Sequence, residues 1–304
     1  MSLLWYYLHT RLPIDVGAQP PICDHMSTST EVITSSSCFA RDYELGRSAA
    51  VRDLERSVQG CDYGATSWTT RREAGRIAEL LALRPAVRLL DVGAGAGWPG
   101  LYLAQLTGCN VVLADLPLVG LQVALERAAA DGFEERCRAV VADGAALPFA
   151  ASSFDALSHS DVLCCMPAKL SMLCACRRVA RSGARMVFSV IALAASLSAS
   201  ERQIAIESGP GFVDADGDYA LLLEQSGWGV QERIDVTAEF AQTIRNSLEA
   251  MKLRVEALTA VLGVDEFANR VTRQQGTLAA VDRGLLKREI FAAITATGAQ
   301  GRAA

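Results

Sequence analysis

Three aspartates stand where apolar runs end, and the first opens a string of glycines. Leu89-Leu90-Asp91-Val92 leads into Gly93-Ala94-Gly95-Ala96-Gly97-Trp98-Pro99-Gly100. Asn110-Val-Val-Leu-Ala leads into Asp115-Leu116, and Ala139-Val-Val-Ala leads into Asp143-Gly144. Carboxylates so placed can accept hydrogen bonds from hydroxyl and amino groups and can neutralise a cationic ligand. The glycines let a ligand approach the backbone closely, and a helix beginning where the string ends offers free N–H groups and partial positive charge. These residues are suited to holding a nucleotide-like cofactor. The nine cysteines are irregularly spaced and contain no C-x-x-C pair, so neither a zinc framework nor a disulfide framework is expected, and no metal is assigned. The cluster Cys164, Cys165, Cys174 and Cys176 reads as small hydrophobes on a loop and its helix.

Two cofactors compete for the glycines. Gly95-Ala-Gly97-Trp-Pro-Gly100 spells the dinucleotide fingerprint G-x-G-x-x-G, with Asp115 as the acid that follows it. Asp91 decides between them: a carboxylate at the tip of the first strand opposes a pyrophosphate but suits an ammonium and a sulfonium. The element Leu90-Asp91-Val92-Gly93-Ala94-Gly95-Ala96-Gly97 resembles the first motif of the class I S-adenosylmethionine-dependent methyltransferases, and the later elements keep that family's order. Ser153 to Leu163 fits a fourth strand and its loop, and Arg178 to Val190 a helix end, a glycine turn and a fifth strand.

The resemblance implies an α/β, Rossmann-like class I methyltransferase fold, a seven-stranded, mostly parallel sheet with helices on both faces. It implies S-adenosyl-L-methionine as cofactor, held by Asp91, Gly93, Ala94, Gly95, Gly97, Asp115, Leu116, Asp143, Gly144 and Ser160. In this scheme Asp115 accepts both ribose hydroxyls, Asp143 the adenine amino group, and the backbone of Gly144 lies by the ring. The implied activity is methyl transfer to a small-molecule acceptor, with O, N and C all open as the receiving atom. The alternatives are an NAD(P)-dependent Rossmann oxidoreductase and a catalytically inactive S-adenosylmethionine-binding subunit. Where an acceptor must lose a proton, His159 is the leading candidate for the base: it is one of only three histidines and can titrate near neutrality. Many relatives carry a His pair where this chain has Cys164-Cys165, so any base role of such a pair is lost.

The elements that must position these residues fill 304 residues, half of them hydrophobic. That length holds one large α/β domain with additions. A net charge of −5 with a pI near 5.4 argues against a nucleic-acid substrate. The most apolar stretch, Met186 to Leu197, falls well short of the ~20 residues of a membrane span. No signal peptide is recognisable, so a reduced, cytoplasmic protein is expected.

Residues 1–38, rich in Ser and Thr and containing Pro20-Pro21, read as a disordered extension, with Met26 as an alternative start to Met1. Residues 39–84 read as a helical cover. It has one amphipathic helix from Arg41 to Val58 and a second, capped by Thr69 or Thr70, running through Leu81. Tyr63 and Trp68, in the loop between, are candidates to line the site. Residues 85–235 form the cofactor-binding core. Residues 236–284 form a helical insertion with two apolar groups, Phe240 to Leu262 and Phe267 to Val281. It reads as a lid over an acceptor pocket, with Phe240 and Ile244 facing it, or else as a homodimer interface. Residues 285–304 hold the last strand, Leu286 to Thr295, and a tail.

Overall fold

The computed structural model describes residues 39–215 and 217–295. Seven strands form one sheet: β1 (Arg88–Val92), β2 (Asn110–Asp115), β3 (Cys137–Val141), β4 (Phe154–Ser160), β5 (Ala180–Leu193), β6 (Trp228–Asp235) and β7 (Leu286–Thr295). Their order is β3-β2-β1-β4-β5-β7-β6, with β7 antiparallel to both of its neighbours. The inner strands are apolar runs because helices cover both faces. Leu90, Leu157, Phe188 and Phe291 point into one core layer, and Leu89, Val111, Ala156 and Val187 into the other. The fold class and the span of β7 agree with expectation.

The helices over the core are α1 (Ala49–Gln59), α2 (Arg71–Leu80), α3 (Gly100–Thr107), α4 (Leu118–Ala130), α5 (Lys169–Val179), α6 (Ala199–Ser208) and α7 (Tyr219–Gln225). Thr70 is the cap of α2, in a capping box in which Glu73 answers the Thr70 backbone N–H. The amphipathic stretch expected as one helix from Arg41 to Val58 is broken. Residues 39–45 are helical, the chain turns at Gly46, and α1 begins after its cap Ser48. Gly46 sits so tightly on Gly64 that a Cβ there would lie 2.5 Å from the Gly64 carbonyl oxygen.

The insertion between β6 and β7 holds three helices where two apolar groups were expected: α8 (Thr237–Lys252), α9 (Val255–Leu262) and α10 (Val264–Asp282). The extra break falls at Leu253–Arg254, within an unbroken apolar pattern. The expected disordered extension 1–38 and the tail after Thr295 lie outside the described residues.

Candidate functional site

The chain reverses its order across the sheet between β1 and β4, and ligands of open α/β sheets bind outside the carboxyl ends of strands at such a point. Asp91 stands in β1 beside that crevice, paired in register with Ser158 of β4. The Ser158 hydroxyl donates to Asp91 Oδ1 at 2.6 Å, and the Gly100 N–H, at the start of α3, donates to Oδ2 at 3.1 Å. Burial without a neighbouring cation pushes the Asp91 carboxyl up to about 7, despite these two donors. Gly100 has to be glycine, since a Cβ there would lie 2.3 Å from Asp91 Oδ2.

Asp115, at the end of β2, is arranged in the same manner. It accepts from the Gly95 N–H at 2.6 Å and the Leu116 N–H at 2.7 Å, and burial pushes its carboxyl up to about 6. The turn between β1 and α3 is closed by the Gly93 and Ala94 N–H groups, both donating to the Ala114 carbonyl, and by Gly97 N–H donating to Ala94. Asp143 accepts from the Ala145 N–H at 2.9 Å and lies past the end of β3, with Gly144 packed on Val92 and Met172. Leu116 and Val141 leave apolar side chains exposed beside the two acids. The structure thus gathers Asp91, the glycine turn, Asp115, Leu116, Asp143 and Gly144 along the carboxyl ends of β1, β2 and β3.

Next to the acids, a cavity of about 80 Å³ opens between Phe39, Trp68, Ser160, Cys165, Ile191 and Pro210. The Ser160 hydroxyl is buried in its wall without a hydrogen-bond partner. The other polar wall, Asp161, is fully committed. Its carboxylate accepts from the Ser67 hydroxyl, the Trp68 N–H and the Ser189 hydroxyl at 2.9–3.1 Å, and from Arg288 through both Nε and Nη2. Arg288 also donates to Glu73 at 2.6 Å and to Thr69 at 3.1 Å. One buried guanidinium on β7 therefore pins α2, the Ser67–Thr69 loop and the end of β4 together. Burial pushes the Asp161 carboxyl up, and the Arg288 guanidinium outweighs it and holds the group below the usual carboxylate range. Asp161 takes a left-handed φ of +57°, a conformation that Asp tolerates better than most residues. A wider cleft of about 380 Å³, lined by Arg84, Asp155, Arg181 and Arg185, lies at the opposite ends of the strands, away from the acids.

Several expected site residues are elsewhere. His159 is fully buried and stacked on Phe188, 4.5 Å between ring centroids, with neither nitrogen hydrogen-bonded. Burial lowers its pKa to about 3. It points into the core layer opposite to Ser158 and Ser160, which removes it as the base. Tyr63 packs inward on Trp98 at 5.2 Å, beneath the Arg127 guanidinium, and its hydroxyl donates to Gln105. Trp68 does line the cavity, with Phe240 edge-on behind it at 5.4 Å. Phe240 and Ile244 are core residues without a surface in the cavity. Arg288, Asp161 and Tyr43 were not expected. The signal for Arg288 was there, as Lys287-Arg288-Glu289 interrupts an otherwise apolar strand. Among the described residues no group of His, Cys, Asp and Glu could hold a metal, and no helix is long and apolar enough to cross a membrane.

The chain is similar to known proteins in sequence and in fold. Residues 90–188 match the family described as a methyltransferase domain. The chain is 28% identical over 180 residues to the methyltransferase GfsG of Streptomyces halstedii, covering 57% of this chain and 63% of that one. It is 30% identical over 174 residues to the 27-O-demethylrifamycin SV methyltransferase of Amycolatopsis mediterranei, covering 55% and 63%. It thus spans less than two thirds of the length of either relative. The phosphoethanolamine N-methyltransferase 2 of Haemonchus contortus, solved with phosphomonomethylethanolamine and S-adenosylhomocysteine, superposes with a TM-score of 0.68 at 19% identity, over 81% of this chain and 61% of that one. Residues 90–188 therefore match a methyltransferase domain, and the chain has the Rossmann-like fold of the superposed structure. Neither the nicotinamide reading nor that of an inactive subunit draws support from these likenesses.

Proposed function

We propose that the protein transfers a methyl group from S-adenosyl-L-methionine to a small-molecule acceptor seated in the Trp68–Ser160–Cys165 cavity. The observation that carries this reading is the pair of carboxylates at the carboxyl ends of β1 and β2, Asp91 buried and Asp115 half-buried, neither with a cation of its own. A cationic, polyhydroxylated cofactor fits such a donor-poor, acceptor-rich cradle. Asp91 would take its ammonium side, Asp115 its ribose hydroxyls, and Asp143 with Gly144 its base. When bound, the cofactor supplies an electrophilic methyl group.

The chain's own contribution is positioning and the exclusion of water. Trp68 and Phe39 wall the acceptor from solvent, and the unpartnered Ser160 hydroxyl is free to orient one polar group on an otherwise apolar body, which moves Ser160 from a cofactor role toward the acceptor. The Arg288–Asp161 pair fixes the wall against which the acceptor rests. The hydrogen bond with Cys165, with burial adding to it, pushes the Cys164 thiol up, and Asp161 is already committed to Ser67, Trp68, Ser189 and Arg288. The acceptor therefore brings a nucleophile ready to react, and O, N or C suits the lining alike. We read residues 39–84 as cover and 236–284 as lid, and place the protein in a reducing, cytoplasmic setting, where the free thiols Cys61, Cys109, Cys137 and Cys164 persist.

Isothermal titration with S-adenosylmethionine, S-adenosylhomocysteine and NADH, repeated with Asp115→Ala, tests the proposal. Micromolar binding of both adenosyl compounds, lost in the variant and absent for NADH, is expected. Binding of NADH alone refutes it.

A further inference from the structure

The helical turn over residues 39–45 reaches the cofactor side of the crevice through one ring. Tyr43 is buried and stacked on Phe39, 6.4 Å between ring centroids. The ring sits in a slot made by two glycines from separate elements. A Cβ on Gly95 would come 2.6 Å from the Tyr43 hydroxyl, and one on Gly120 would come 2.8 Å from its Cδ2. Gly120 lies inside α4, where glycine weakens a helix, so its presence is explained by the ring and not by the helix. The hydroxyl at the end of the slot lies against Gly95, whose N–H donates to Asp115 at 2.6 Å, and it helps hold that carboxyl down against burial.

The preceding residue, Asp42, makes the opposite connection. It pairs with Arg270 of α10, whose Nε also donates to Glu266 of the same helix at 2.8 Å. Two adjacent residues of one short turn therefore touch the acid at the end of β2 and a helix of the insertion between β6 and β7.

We propose that Tyr43 is a positioning residue of the cofactor site: its hydroxyl orients the Asp115 carboxylate, and the 39–45 turn ties that carboxylate to α10 through the Asp42–Arg270 pair. This rests on the assignment of Asp115 to the cofactor. A cofactor hydroxyl donates more strongly to an ionised Asp115 than to its acid form, so a donor that favours the ionised form also favours binding. The charged and titratable groups around this contact are Asp91 facing Asp115, and Asp42 and Cys165 near Tyr43. The tie makes release of the cofactor and movement of α10 one event.

The test is titration of the full chain with S-adenosylhomocysteine between pH 5.5 and 8.5, for the wild type, Tyr43→Phe, Arg270→Met, the double variant and Asp115→Asn. Tyr43→Phe keeps the ring in its slot, so its melting temperature should match the wild type. Its affinity should fall about tenfold at pH 6.5, the usual size for a hydrogen bond to a charged group. The pH at which binding is half lost should also move upward, a shift that lost packing alone would not produce. Arg270→Met should raise the dissociation rate several-fold in stopped flow, and the double variant should lose less than the product of the two single effects. A Tyr43→Phe variant with wild-type affinity and an unmoved pH profile overturns the positioning role. An unchanged dissociation rate in Arg270→Met overturns the tie to α10. If Asp115→Asn binds as the wild type does, the assignment of Asp115 fails, and the proposal with it.

Discussion

Replacing Arg288 by Met would remove the guanidinium that holds Asp161 and Glu73 while keeping most of its aliphatic volume. Arg288 is 1% exposed, and the two carboxylates bound to it are also buried. It makes four hydrogen bonds of 2.6–3.1 Å, to Asp161 twice, to Glu73 and to Thr69. Breaking a buried ion pair from one side costs about 3–5 kcal/mol, because the partner charge stays behind without compensation. For a chain of this size that is about 5–8 °C in Tm. The pH dependence separates this cause from lost packing. In the wild type Asp161 is held below its usual pKa, so its stabilising contribution is complete above that ordinary carboxylate value and is lost only as the pH falls through the still lower folded one. In the variant burial, opposed only by the hydrogen bonds from Ser67, Trp68 and Ser189, raises the folded pKa above the unfolded one, as it does for Asp91. The native state then takes up a proton on acidification, and the deficit shrinks from pH 7.5 to pH 5. Asp91 and Asp115 are common to both chains and cancel in the difference. Urea unfolding followed by tryptophan fluorescence at the two pH values reads both quantities. A deficit below about 1 kcal/mol, within the range of an exposed pair, would refute the reasoning, as would one equal at both pH values.

Three further outcomes are expected. With Asp91 raised to about 7 and Asp115 to about 6, both carboxyls are partly protonated at pH 6.5, and a cationic cofactor should expel those protons. Affinity for S-adenosylmethionine should then rise from pH 5 to 8, and titrations in buffers of unlike ionisation enthalpy should show proton release; equal heats in all buffers would contradict it. His159→Phe preserves the stack on Phe188 and removes two unpartnered buried nitrogens, so unfolding should show unchanged or greater stability, by up to about 1 kcal/mol. With any acceptor that the wild type turns over, its rate should stay within about twofold; a hundredfold loss would restore His159 as the base. Gly100→Ala drives a Cβ to 2.3 Å from Asp91 Oδ2, which should cost about 1–3 kcal/mol in unfolding measurements and weaken cofactor binding in titration, since Asp91 must move.

What could be read from the residues follows from the range of the forces involved. Strands buried on both faces must be apolar along their length, so Asp91 and Asp115 stood out at their ends, and the glycine turn followed directly. The break at Leu253–Arg254 carries no Gly or Pro, and Met251, Val255 and Leu258 keep helical spacing across it, so tertiary packing alone sets it. Glu73 and Arg288 lie 215 positions apart, and Tyr43 meets Asp115 only because two glycines from different elements leave a slot. No local pattern encodes such meetings. Tyr63 and Trp68 share one loop, yet the backbone sends one ring inward to Trp98 and the other to the cavity.

His159 is a different kind of miss, since elementary geometry could have prevented it. Successive side chains of a strand point to opposite faces, so Ser158 and Ser160 share a face and His159 takes the other. Ser158 is paired in register with Asp91, which puts the serine face toward the acid and leaves the histidine to Phe188. Once Asp91 is assigned to the cofactor, the same alternation assigns Ser160 to the crevice and excludes His159. The consequence reaches the chemistry: with the imidazole in the core and Asp161 neutralised by Arg288, no side chain on the cavity side of β4 is placed to take a proton near neutral pH. An acceptor with a weakly acidic hydroxyl should therefore react at a rate that rises with pH along its own ionisation, without a plateau set by an enzyme base.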